Sequence, residues 1–542
     1  MKWISSPILG ACLHGGRAHL VAVETLLGRG LSRTIVVGMA DAATRESRER
    51  LPAAMASCGF AFPRGKILFN LSPAQLPKGG LPLDLALAVG VMMEQGQVPR
   101  PKRPILFLAE LNLEGRLLRP ARGLLLAALE ASQAHGSTLI TASSAAREAS
   151  MAPGIQVIGF DDLGQVASYL QSGATPDLAV LPLDDSQQDP GAPALPLRLD
   201  DVRGQESARR ALVVAAAGRH SLLLQGPPGT GKSMLARRLP TLLPPLDADQ
   251  ALELAKIEAL LGPLGRLPST PPFRAPHATS SAQSVLGGGR PLRPGEISRA
   301  HGGVLFLDEL PEFGRPVLES LRQPLEERFI SIQRAQEEAR FPADALLLAT
   351  RNPCPCGFHT HPRIPCRCSD TKLRAYWGRT SGPLLDRFDL FVEMGPVSPE
   401  RLQQPASAPH DEKIHAELQV AREVQAARQQ QGHYKVSSEA NFEQLKETGL
   451  ESKAQAALQL AAERMELSGR GLLRTLRVAR TLADLSGLTT ISRAEVLQAL
   501  EWRQPILDLV AATTASPTQR PTVPRPKQRS MPAPSYLPIR ES

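Results

Sequence analysis

Hydrophobic positions along this chain fall in short runs separated by polar or helical stretches. Within residues 1–170, apolar runs at 35–37, 67–69, 105–108 and 138–140 alternate with segments at 81–93 and 124–134 whose apolar residues recur at helical spacing. That alternation predicts a mixed α/β domain. Residues 171–199 carry Pro, Asp, Gln and Gly without a period and read as a solvated linker. From 200 to 397, apolar runs at 221–224, 304–307, 345–349 and 390–393 punctuate helical stretches, the pattern of a parallel sheet with crossover helices. After a Pro-rich break at 396–410, residues 410–505 are helical and predict an all-α lid bounded at 398–510, with apolar stripes at 450–465 and 472–485. Residues 511–542 are Pro-rich and basic (Arg520, Arg525, Lys527, Arg529, Arg540 against Glu541), a composition that predicts a disordered tail.

Composition narrows the classes. At 542 residues the chain has room for three or four domains, and 42% hydrophobic with 21% charged residues is globular. No apolar run reaches the eighteen or so residues that cross a bilayer, and the first twenty lack a secretory core, so a soluble cytoplasmic protein without membrane association is expected. Sixty-two Lys and Arg against 53 Asp and Glu give +9, which permits contact with a polyanion. Only 4% of residues are aromatic, which disfavours a single-strand platform built on stacking. Cys12 and Cys58 stand alone, whereas Cys354, Cys356, Cys366 and Cys368 crowd together, a spacing that reads as metal ligation.

The chemistry concentrates in the second domain. Gly226-Pro227-Pro228-Gly229-Thr230-Gly231-Lys232-Ser233 follows an apolar strand and precedes a helical stretch beginning near Met234. In that context glycines turn backbone N–H groups around phosphate oxygens, Lys232 reaches the β/γ-phosphates and Ser233 ligates Mg²⁺. The run 304–307 ends in Asp308 and Glu309, placed to hold the metal and polarise water, and the pairing specifies ATP hydrolysis. A third run leads to Asn352, whose amide suits the attacking water, and Arg387 opens a fourth, where a guanidinium can meet charge developing on a phosphoryl group. The four clustered cysteines offer thiolates for a closed Zn²⁺ site, with His359 or His361 as substitutes for one of them. Arg290, Arg293 and Arg299, in the insert before the acidic strand, and Arg334, in a hairpin expected over 329–340, are candidate DNA contacts.

These and further motifs carry a resemblance: Asp201-Val202-Arg203-Gly204-Gln205, Phe273-Arg274-Ala275-Pro276-His277, Gly287-Gly288-Gly289, Pro294-Gly295-Glu296-Ile297-Ser298, Leu321-Arg322-Gln323-Pro324 and Asn352-Pro353-Cys354-Pro355-Cys356-Gly357. On them the chain resembles the YifB/ComM family of magnesium-chelatase-like AAA+ ATPases from about residue 8 to 503. The resemblance implies a hexamer that drives branch migration of DNA junctions in natural transformation, working with ATP, Mg²⁺ and recombination proteins. It also implies that Asn352 is the sensor-1 residue, Arg387 the arginine finger and Arg470 the sensor-2 residue of the lid, with Arg474 as the alternative. Two positions depart from the family pattern: His277 is followed by Ala278 rather than a second His, and Arg351 stands where Met is common.

The N-terminal motifs Asn70-Leu71-Ser72-Pro73-Ala74 and Pro77-Lys78-Gly79-Gly80 resemble a Lon-protease-like fold. Pro82 occupies the position where a Ser-Lys dyad needs its hydroxyl, so this domain is expected to be catalytically inactive and Lys78 to be a structural or surface charge. Beside the DNA motor stand two other readings: a magnesium-chelatase-like subunit that remodels a protein partner, and an ATPase coupled to proteolysis. The N-terminal domain and the cysteine cluster both argue against the chelatase reading.

Overall fold

The computed structural model describes residues 8–135, 138–173, 197–334, 337–398 and 410–514. Most of the expected linker, residues 174–196, and of the expected tail, residues 515–542, lies outside the described residues. Its contacts divide the chain into two compact units, the first comprising Met1–Leu197, Leu239–Leu307 and Pro316–Leu347, and the second Arg198–Arg238, Asp308–Arg315 and Leu348–Ser542.

The first unit is built on a mixed seven-stranded sheet whose strands, in spatial order, begin at Arg33, Lys66, Arg17, Ile8, Ile105, Thr138 and Gln156. Ile8–His14 turns back onto Arg17–Gly28 through Gly15 and Gly16, both at positive φ, which is the two-residue hairpin turn that matches strand twist. Helix Asp84–Glu94 is buried from Asp84 to Met93, so its sequence is apolar on every face. It starts three residues later than the periodicity suggests, after Pro82. Gly90 lets it approach the sheet, since a Cβ there would lie 2.4 Å from Thr25 Oγ1. The same unit takes in the parallel pair Phe273–Arg274 and Val304–Leu307 and the predicted hairpin, found as strands Phe329–Arg334 and Glu337–Pro342. Leu260, Leu292, Ile330, Ala339 and Phe341 form a small core against which Leu13 and Leu126 pack.

Lys78 corrects one alternative left open by the sequence: it is a fully buried residue and not a surface charge. Its ammonium donates to the carbonyls of Leu76, at 2.6 Å, and Pro73, so burial is met by main-chain acceptors. Burial lowers its pKa.

In the second unit, Leu222–Gln225 lies between residues 348–351 and strand Leu390–Glu393, all parallel, with Leu223 opposite both Ala349 and Phe391. The strand registers one residue later than the apolar run, because Ser221 is occupied by Asp389: its N–H donates to Oδ2 and its hydroxyl accepts from Asp389 N, both at 3.0 Å. The lid is helical as expected, with helices His410–Gln430, Phe442–Glu447, Ser452–Arg464, Gly469–Leu485 and Arg493–Thr514. Polar ties join it to the strands' ends. Arg503 donates to Phe388 O at 2.8 Å and His220 Nε2 meets Thr481 Oγ1 at 2.7 Å; within the lid, Arg428 and Arg480 share buried Asp484. Among the described residues no helix is long and apolar enough to cross a membrane.

Candidate nucleotide site and cysteine cluster

Residues 226–233 leave the buried strand and enter helix Lys232–Ala236, capped by Gly231 at φ +88°. Helix formation begins at Lys232, two residues before the sequence suggested, which brings the lysine and Ser233 into its first turn. Lys232 is 9% exposed. Its Nζ donates to Gly226 O at 2.7 Å, Pro227 O at 2.9 Å and Asn352 Oδ1 at 3.0 Å. Burial lowers its pKa, partly offset by Asp308 and Glu309. The ammonium is thus held at the mouth of the loop by weak neutral acceptors that a phosphate oxygen can replace.

Ser233 Oγ donates to Asp308, lying 3.1 and 3.0 Å from its two carboxylate oxygens. A hydroxyl and a carboxylate facing each other are hard oxygen donors of the kind Mg²⁺ takes, so the residues present fit that ion. The arrangement depends on Thr350, which sequence reasoning missed. Its hydroxyl donates to Asp308 Oδ1 at 2.5 Å and accepts from Glu309 N at 2.9 Å, fixing both acids from one side chain. Glu309 sits at φ +56° and remains exposed, with Asn352 Nδ2 donating to its Oε1 at 3.4 Å. The available signal was a hydroxyl two positions before Asn352 on a strand adjoining the phosphate-loop strand.

Arg387 is 8% exposed, and its Nη1 donates to Pro383 O at 2.6 Å. Its own carbonyl accepts from Arg474 Nη1 at 2.8 Å, and that nitrogen also meets Asp389 Oδ1 at 2.6 Å. Although burial opposes ionisation, Arg474 and His220 hold the Asp389 carboxyl well below its usual range. Arg474 is therefore committed to bracing the segment that carries Arg387. Arg470 lies exposed in the first turn of Gly469–Leu485. Arg351, the departure from the family pattern, is fully buried with no hydrogen-bond partner on any guanidinium nitrogen, and its Cζ lies over the Tyr376 ring, 6.0 Å from the centroid. Burial pushes it down to about 10.

The four cysteine sulfurs all lie within 4.8 Å of one another, with Cys354 and Cys356 3.3 Å apart and Cys366 3.7 and 3.6 Å from them. Four sulfurs held tetrahedrally at about 2.3 Å from Zn²⁺ stand about 3.8 Å apart, so the donor set fits that ion. His361 Nδ1 instead accepts from the N–H groups of Arg363 and Ile364, and the His359 ring packs edge-on against Trp377. Gly357, within the cysteine loop, stands at φ +83°, and a Cβ there would lie 2.4 Å from Pro228 Cδ. The cysteine loop and the phosphate loop are in direct contact.

Of the candidate DNA contacts, Arg290 and Arg293 border an open cavity of about 450 Å³. Arg299 borders it too, but its guanidinium is taken by Glu258 at 3.1 Å and Glu296 at 2.9 Å. Arg334 is exposed on the hairpin.

Comparison with known proteins agrees with this architecture. The family profile described as magnesium chelatase, subunit ChlI, matches residues 198–402, its C-terminal counterpart residues 409–503, and a profile for subunit ChlI of Mg-chelatase residues 23–145. The competence protein ComM of Haemophilus influenzae is 38% identical over 499 residues, covering 90% of this chain and 95% of its own length. The chain belongs to the YifB/ComM family of magnesium-chelatase-like AAA+ proteins. Other relatives include an uncharacterized protein of Mycobacterium tuberculosis, 40% identical over 91% of this chain and 97% of its own, and YifB of Escherichia coli, an uncharacterized protein 35% identical over 90% and 95%. The match at residues 23–145 carries the chelatase description, so the N-terminal domain does not separate this family from the chelatase subunit as the sequence argument held.

Proposed function

We propose that this protein is an ATP-driven DNA motor, a hexameric AAA+ ATPase that moves the branch point of DNA junctions and strand-exchange intermediates in recombination. The observation that carries the ATPase is the network in which Thr350 fixes Asp308 and Glu309 opposite Ser233 and buried Lys232. Lys232 and the loop N–H groups bind the phosphates of ATP, Glu309 accepts a proton from the attacking water, and Asn352 orients that water. Ser233 and Asp308 would hold Mg²⁺, which supplies polarisation of the phosphoryl oxygens. Arg387 serves the neighbouring subunit's nucleotide and Arg470 the lid's response to it, both roles resting on the family resemblance. The DNA assignment rests on that resemblance and on the unpaired arginines of the inserts.

A four-way junction of labelled synthetic strands tests the reading: ATP and Mg²⁺ should resolve it into two forked duplexes, and ADP should not. An intact ATPase that leaves the junction whole would favour the chelatase-like alternative, remodelling of a protein partner.

We further propose that Cys354, Cys356, Cys366 and Cys368 would hold Zn²⁺, which supplies a closed cross-link between two turns of the loop. Metal analysis of protein purified under reducing conditions should find one zinc per chain. Cys366→Ser should lose that zinc and lower the melting midpoint; zinc-free wild-type protein would refute the site.

A further inference from the structure

The strands Gly287–Gly288 and Arg293–Pro294 pair as a small hairpin, placing Gly288 directly opposite Arg293. Around it gather guanidiniums from three separate parts of the first unit. Arg122 stands just ahead of helix Leu124–His135, where Gly123 N–H donates to Ala259 O at 2.7 Å and Leu126 packs on the cluster that holds Leu292, next to Arg293; burial and the Arg293 charge both push its pKa down. Arg334, from the neighbouring hairpin, brings Nη2 to 3.7 Å from where a Gly288 Cβ would stand. Arg290 occupies the exposed turn.

Among the described residues, none of these four guanidiniums has a hydrogen bond or an ion pair. The nearby acids are otherwise engaged. Glu296 is held by Arg274 at 2.7 Å and by Arg299, Glu258 by Arg299, Glu337 faces His14 at 3.3 Å, and Glu338 accepts from Gln333. Like charges brought together over a common apolar base, with no counter-charge, raise the free energy of the unliganded protein, and an anion relieves it. Gly288 and Gly289, both at positive φ, border the cavity and put no side chain into it. No aromatic residue lines the cavity, whereas protein-binding hot spots rely on aromatic anchors. That absence favours a phosphodiester chain over a protein segment.

We propose that this glycine hairpin is a binding site for the sugar-phosphate backbone of DNA, with Arg122, Arg290, Arg293 and Arg334 as its phosphate ligands. The proposal rests on the motor reading and gives the N-terminal domain a part in it, through Arg122. Arg299 is excluded from the set by its two carboxylates.

The test is fluorescence anisotropy of a labelled single-stranded oligodeoxynucleotide titrated with the full chain over a range of salt concentrations. Each phosphate contact removed should lower the slope of log affinity against log salt by about 0.7, so Arg122→Gln with Arg293→Gln should lower it by about 1.4. Arg290→Gln, on the exposed turn, should lower it by about 0.7 on its own. Arg116→Gln removes one exposed positive charge of the same unit elsewhere and should leave the slope alone. Wild-type slopes in both the double and the Arg290 variants would overturn the site while leaving the motor reading standing. A wild-type protein that binds no DNA would overturn both. Tighter binding of labelled poly-glutamate than of DNA, lost in the double variant, would overturn the site in favour of an acidic protein segment.

Discussion

Glu309→Gln should stop ATP hydrolysis while leaving ATP binding intact, and Lys232→Ala should lose binding itself. The two residues differ in what they touch. Glu309 is exposed, fixed through its backbone N–H by Thr350, and its carboxylate is free to accept a proton; an amide of the same shape keeps the hydrogen bond from Asn352 but cannot act as a base. Loss of a positioned general base costs about 10²–10⁴ in rate. Lys232 is buried among neutral acceptors, so its removal deletes the one cation within the cradle and leaves carbonyl oxygens where phosphate must sit. Equilibrium binding of a fluorescent ATP analogue alongside steady-state phosphate release separates the two variants. Normal hydrolysis by Glu309→Gln would show that another group activates the water.

Mixing Arg387→Ala with Lys232→Ala, each expected to be inactive alone, should restore part of the ATPase. A guanidinium supplied to a transferring phosphoryl group is worth about 10³–10⁵ in rate. Arg387 lies after the acidic and sensor strands and is braced from behind by Arg474 and Ser221, both of which donate to its carbonyl. That bracing fixes the backbone, while the side chain's Nη1 donates to the Pro383 carbonyl at 2.6 Å. In a mixed ring some interfaces pair an intact cradle with an intact finger, so phosphate release should rise above the sum of the separate proteins. Mixtures shown by native mass spectrometry to co-assemble, yet still inactive, would place the role of Arg387 within its own subunit.

The residues of the candidate nucleotide site were legible in the sequence because phosphate binding restricts the chain locally: glycines, lysine and a hydroxyl must be adjacent, and the acids must end an apolar strand. Thr350 was not legible, since its role exists only when the strand it ends lies beside Asp308 and Glu309 in space. The strands Ile8–His14 and Arg17–Gly28 were missed although Gly15-Gly16 between them is a hairpin signal, because the second strand's polar residues interrupt its apolar positions. The grouping of residues 239–307 and 316–347 with the N-terminal segment was equally hidden. It depends on side chains such as Leu13 and Leu126 meeting Leu292 and Phe341, a pairing that no local period encodes.

The contact between Gly357 and Pro228 makes the two loops thermodynamic partners. With no room for even a methyl group between them, neither can change its path without displacing the other. Whatever tightens the cysteine loop narrows the conformations open to the phosphate loop and so reduces the entropy that ATP must remove on binding. By reciprocity, with zinc held as proposed, a nucleotide bound at one loop would strengthen ion retention at the other by the same factor.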